Sequence, residues 1–136
     1  MDEKLTYYHL RETGRDGIAT AIRNALSKDD NIILALMFGS ILRRNAVRDI
    51  DIAVYADPEP DLAGLLELSS KLERSVGIPV DVSPLSKLEP CMRYRVMAGG
   101  VRILIRNERL FNELLHSAFS ECQEVKLLLR QAVRKG

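Results

Sequence analysis

The spacing of apolar positions changes period several times along the chain, and each change predicts an element. Over residues 15–29 the positions Ile18, Ala21, Ile22, Ala25 and Leu26 recur three and four apart, which gathers them on one face of a helix. Residues 32–38, IILALMF, are continuously apolar and stop at Gly39-Ser40. That is the pattern of a strand buried on both faces, although periodicity alone does not separate it from a buried helical turn. Residues 49–55, DIDIAVY, alternate, with Ile50, Ile52 and Val54 on one side and Asp49, Asp51, Ala53 and Tyr55 on the other. Asp57-Pro58 breaks that strand.

The second half continues in the same way. Residues 61–76 predict a helix whose buried stripe is Leu62, Leu65, Leu66, Leu72 and Val76, with Gly77 as its stop. Residues 78–83 alternate again, placing Ile78, Val80 and Val82 inward and Asp81 opposite. A short helix over 88–98 ends at Gly99-Gly100, and residues 101–105, VRILI, predict a fourth strand. From about 108 to 134 the apolar positions fit one long helix or two. The expected fold class is therefore α+β, a small mixed sheet flanked by helices, because the first two strands follow each other too closely for a strict βαβ repeat. One domain spans 1–136, with a core at about 15–106 and a C-terminal helical segment at about 107–134.

Composition narrows the function. Of 136 residues, 20 are basic and 19 acidic, so the chain is near neutral and no direct nucleic-acid binding is expected. Any charge that binds phosphate must be local. The N-terminus is mixed and charged rather than a leader, and no apolar run approaches the roughly 20 residues of a membrane span. A cytoplasmic location follows as the expectation. Cys91 and Cys122 lack metal-ligand spacing and are expected as reduced, half-buried thiols.

The candidate chemistry lies in the acids. On a strand, Asp49 and Asp51 point to one face with side chains roughly 6–7 Å apart. Carboxylates that close repel one another unless a proton or cation lies between them. Mg²⁺, a hard ion that takes carboxylate and phosphate oxygens, suits the gap. Ten residues earlier, Gly39-Ser40 closes the apolar strand; glycine admits close approach of a ligand and serine adds a hydroxyl. A helix starting there would favour phosphate. Arg43, Arg44 and Arg48 stand between this turn and the acids, in reach of phosphate oxygens. Asp81 joins the pair if its strand lies beside that of 49–55. Each feature taken alone reads more simply as an ordinary turn or as exposed acids on a strand; their order is what carries weight.

Phe38-Gly39-Ser40, Asp49-Ile50-Asp51-Ile52 and the later Asp81 together resemble the minimal nucleotidyltransferases of the DNA polymerase beta superfamily, over roughly residues 15–106. The resemblance implies that Asp49 and Asp51 bind two Mg²⁺ ions. It implies that Asp81 completes the catalytic metal site and assists deprotonation of the attacking hydroxyl, and that Gly39, Ser40 and Arg43 bind the nucleotide phosphates. ATP would be the substrate and AMP the group transferred. Small members of the family are antitoxins, which implies a helical HEPN-type toxin as partner and one of its tyrosines as acceptor. The alternatives are a module that neutralises its partner by contact alone, and a transferase for a small molecule such as an antibiotic. Two departures stand out: only eight residues separate Ser40 from Asp49, and Arg48 replaces the small residue that usually precedes the first acid. The stripe Val125, Leu128, Leu129, Ala132 and Val133 is shaped to dock a helical partner or a second copy in a homodimer, or to pack on its own sheet. Arg109 and His116, a basic residue and a histidine on one helix, read as surface residues.

Overall fold

A computed structural model describes residues 7–9 and 14–135. The elements run β1 (Tyr8–His9), α1 (Gly14–Leu26), β2 (Ile32–Phe38), β3 (Ala46–Val47), β4 (Ile50–Ala56), α2 (Leu62–Val76), β5 (Val80–Pro84), α3 (Pro90–Gly99), β6 (Val101–Ile105) and α4 (Glu108–Lys135). A single 3₁₀ turn, Gly39–Leu42, follows β2, and another, Leu85–Lys87, follows β5. Four strands form one sheet in the order β5-β4-β2-β6, and β1 pairs with β3 as a separate ribbon. In the sheet β2 runs antiparallel to both β4 and β6, whereas β5 lies parallel to β4. The mixed sheet expected from the sequence is the one observed.

Both faces of the sheet are covered, and this explains the unbroken apolar run of β2. Ile32, Ala35 and Met37 enter one core with Ile22 and Leu26 of α1 and Leu68 and Leu72 of α2. Leu34, Leu36 and Phe38 enter the other with Val96 and Met97 of α3 and Phe111 of α4. β4 obeys the same division, with Ile50, Ile52 and Val54 facing the first core and Ala53 the second. At about 25 cal/mol per Å² of apolar surface, burying a leucine or isoleucine on either face contributes about 1.5–3 kcal/mol.

Helix ends follow the local chemistry. The Asp61 carboxylate accepts from the Gly64 N–H at 2.8 Å and so starts α2, and Gly77, in the left-handed region at φ 72°, ends it. Glu89 caps α3 by accepting from the N–H groups of Cys91 and Met92, which holds its carboxyl below the usual glutamate range. Arg106 donates to the carbonyls of Ser27 and Ile32, tying the α1–β2 connection to the end of β6.

Two expectations need correction, and one open alternative is decided. Leu62 and Leu66 are exposed, at 72% and 60%; Leu65, Leu72 and Val76 pack on the core as expected, and Leu68 takes the remaining place in the stripe. α2 meets α1 and β5 along the line of Leu65, Leu68, Leu72 and Val76, and Leu66 lies about 100° round the helix from that line. The tail is a single helix of 28 residues. The cysteines are not reduced thiols: Cys91, in the first turn of α3, and Cys122, mid-α4, form a disulfide with their Cα atoms 4.6 Å apart. A separation of 31 residues carries no pairing information; the side-by-side packing of α3 and α4 creates the proximity. Among the described residues no helix is long and apolar enough to cross a membrane.

Candidate active site

The site forms where β2 ends and β4 begins. Asp51 is the register partner of Phe38, the last residue of β2, on one side and of Asp81 on the other. In a parallel ladder, register partners put their side chains on the same face of the sheet about 4.8 Å apart. Val80 and Val82 point to the first core, so Asp81 points away from it and stays exposed. Asp49 lies one residue ahead of β4 and is exposed. The strand start beside it is pinned to β5 by the Ile50 N–H, which donates to the Pro79 carbonyl at 2.9 Å.

Gly39 faces the same acids. Its φ of +86° lies in the region that favours glycine. A Cβ placed on residue 39 would collide with Oδ2 of Asp51 and stand 3.2 Å from its Cγ. The chain can turn here, hard against a carboxylate, only because this residue has no side chain. Ser40 follows in the 3₁₀ turn, where its carbonyl accepts from the N–H groups of Arg43 and Arg44, both at 3.0 Å. The helix expected at this point is thus one short turn, and no side chain caps its first N–H groups. Arg43 and Arg44 leave the far end of the turn and are exposed, as is Arg48.

Burial and neighbouring charge both bear on Asp51. Its pKa is pushed up from 3.8 to about 6, first by burial and then by the negative charges of Asp49 and Asp81. The charges of Asp49 and Asp81 therefore both reach Asp51, which resists ionising without a counter-charge. The donors are hard oxygens beside a backbone bend that a side chain would fill, which is what a Mg²⁺–phosphate group requires. Among the described residues, no three His, Cys, Asp or Glu side chains are gathered closely enough to grip an ion unaided. Two shallow hollows of about 480 and 430 Å³ lie along α2, lined by residues such as Ser70 and Arg74, and neither includes the acids.

The nucleotidyltransferase domain of polymerase beta matches residues 20–109, the stretch that carries Gly39, Ser40 and all three acids. The chain belongs to the polymerase beta nucleotidyltransferase family. No curated protein matches the chain by sequence. Solved structures do match by fold. The crystal structure of the toxin–antitoxin MntA–HepT superposes with a TM-score of 0.70 at 22% identity, covering 89% of this chain and 97% of that one. A toxin–antitoxin structure with AMP-PNP gives 0.70 at 24% identity, over 86% and 95% of the two chains. A tri-AMPylated HEPN toxin from Shewanella oneidensis in complex with its MNT antitoxin gives 0.66 at 23%, over 86% and 96%. These likenesses speak for the nucleotidyltransferase fold, and the matched chains are about the length of this one.

Two features of this nucleotidyltransferase domain have no signature in the sequence. The disulfide is one. The other is Arg93 of α3, which donates to the carbonyls of Leu85, Ser86 and Leu88 and pairs with Glu121 at 3.1 Å. It fastens the segment after β5, and so the far end of the Asp81 strand, to α4. One arginine in a helix carries no local signal of such a role.

Proposed function

We propose that this chain is a Mg²⁺-dependent nucleotidyltransferase that moves AMP from ATP to a hydroxyl, a tyrosine of a helical HEPN-type toxin that it restrains. The observation that carries the reading is the convergence on Asp51: Asp81 in register beside it, Asp49 two residues ahead, and Gly39 against its carboxylate. Family membership supports the reaction class, and the toxin–antitoxin complexes that share the fold suggest the partner class.

In this reading Asp49, Asp51 and Asp81 would hold two Mg²⁺ ions, with ATP phosphates supplying further oxygens. Mg²⁺ dehydrates reluctantly and is commonly held by one or two carboxylates plus substrate phosphates, so a site without a complete protein cage suits it. The bound metal would neutralise developing charge on the α-phosphate and make the acceptor hydroxyl more acidic. Gly39 and Ser40 bind the β- and γ-phosphates through N–H groups and a hydroxyl, with Arg43 pairing with an outer phosphate oxygen. The acceptor oxygen forms a bond to the α-phosphorus as the α–β P–O bond breaks. Its proton passes toward Asp81, and pyrophosphate leaves. Alignment and charge neutralisation are the whole task of the protein in such a transfer.

The open arrangement of the acids, the short Ser40–Asp49 loop and Arg48 favour a second reading, a module that restrains its partner by contact with little transfer. Co-expression with the product of the neighbouring gene, with ATP and Mg²⁺, separates the two. An AMP-sized mass increment on the partner that disappears in Asp51→Asn is the expected result. A stable unmodified complex with the wild-type chain selects contact alone, and no complex and no increment rejects both.

A further inference from the structure

α4 is longer than the body it packs on. Its buried side chains, Phe111, Ala118 and Cys122, keep one face of the helix against the second core and α3. Cys122 is bonded to Cys91 in the first turn of α3, so α3 covers nothing beyond that point. Val125 is half-buried, and every residue from Lys126 to Lys135 is exposed. At 1.5 Å per residue the overhang is about 20 Å long. The spacing of the buried stripe continues into it through Val125, Leu129, Ala132 and Val133, with Leu128 at its edge, and Leu128, Leu129 and Val133 are 63%, 62% and 79% exposed. A hollow of about 350 Å³ lies there, lined by Leu129, Arg130, Val133 and Arg134. The matched family domain ends at residue 109, so the nucleotidyltransferase core does not account for this segment.

The flanking charges identify what covers it. From Val125 to Lys135 the chain carries Lys126, Arg130, Arg134 and Lys135 and no acidic residue. Two overhangs laid antiparallel on one another would bring two segments of the same positive charge together, which like-charge repulsion opposes. A flat bilayer is also a poor match. The apolar stripe continues the face turned to the body, so the body stands beside it and holds a planar surface away. A helix, a rod about 10 Å across, can lie along the overhang beside the start of α3. We infer that the C-terminal half of α4 docks an amphipathic helix of another protein, one whose apolar stripe is flanked by aspartates and glutamates. The inference rests on the reading that the chain works on a protein partner, and it specifies the surface that partner meets.

The test uses the full chain and a designed 18-residue helical peptide with a leucine stripe flanked by glutamates, followed by fluorescence anisotropy. A control peptide carries lysines in place of the glutamates. The glutamate peptide is expected to bind at least tenfold tighter than the control, to weaken as salt rises, and to lose at least tenfold in affinity to Leu128→Glu/Val133→Glu. Asp51→Asn is expected to bind the peptide like wild type, while Leu128→Glu/Val133→Glu keeps the thermal midpoint and Mg–ATP affinity of wild type. Those two arms separate loss of the docking surface from failure of the transferase reading. Equal binding of both peptides, or binding unmoved by the double variant, overturns the inference. So does tighter binding to phosphatidylserine vesicles than to the glutamate peptide, or self-association that the double variant abolishes.

Discussion

Oδ2 of Asp51 occupies the space where a side chain on Gly39 would begin. A bend of the backbone and a carboxylate are thus fitted to one another across two antiparallel strands, β2 and β4, and neither can change alone.

Gly39→Ala should therefore strain the bend and displace Asp51 together. The φ of +86° makes the substitution unfavourable by about 1–2 kcal/mol even without the collision. The expected outcome is a folded chain with a lowered midpoint of thermal denaturation and Mg–ATP affinity reduced at least tenfold, read by calorimetry. Wild-type affinity in this variant would show that the phosphates do not sit at the bend.

Asp51 should make stability depend on pH. Its carboxyl holds a proton up to about pH 6 in the folded chain, against 3.8 as the ordinary value. Between about pH 4 and 6 the folded form binds more protons than the unfolded one, so stability falls as pH rises through that window. The contribution is fully present below the lower value and lost above the upper one. Thermal midpoints measured from pH 4 to 8 should show this decline without Mg²⁺ and a shallower one in Asp51→Asn.

Mg–ATP should stabilise the wild-type chain by mass action, by about 2.7 kcal/mol at a ligand concentration a hundred times the dissociation constant. Asp51→Asn and Asp81→Asn should each remove most of that gain, because each withdraws one of the charges crowded at a single locus. A thermal shift with Mg–ATP that persists in both variants places the nucleotide elsewhere.

Reduction should loosen the packing of α4. The Cys91–Cys122 bond closes a loop of 31 residues, and a bridge of that span contributes roughly 3–4 kcal/mol in the chain-entropy account. Denaturant titrations with and without reductant should differ by an amount of that order, and Cys122→Ser should match the reduced chain in either condition. Thiol counting under native, non-reducing conditions checks the bond directly.

Much of this protein is legible from spacing. The continuous run of β2, the alternation of β4 and β5, and the stop at Gly77 each state their element, because helix and strand have different side-chain periods. The order of Gly39-Ser40, Asp49-Ile50-Asp51 and Asp81 suffices to name the family. The spacing of Leu62 and Leu66 does not fix their burial, because the register of a helix against its neighbours depends on where α1 and β5 lie, and a wide apolar stripe permits more than one rotation. Arg93 and the disulfide were invisible because their partners come from other parts of the chain.

What the sequence determined by itself is the set of elements and the kind of chemistry, since both depend on neighbours within a few positions: alternation puts Asp49 and Asp51 on one side of a strand wherever that strand goes. Only the tertiary structure decided that β5 lies parallel beside β4 with Asp81 in register with Asp51, that Gly39 faces the same carboxylate, and that α4 outruns α3. Those are relations between segments far apart in the chain, set by which buried faces pack together, and no local period encodes them.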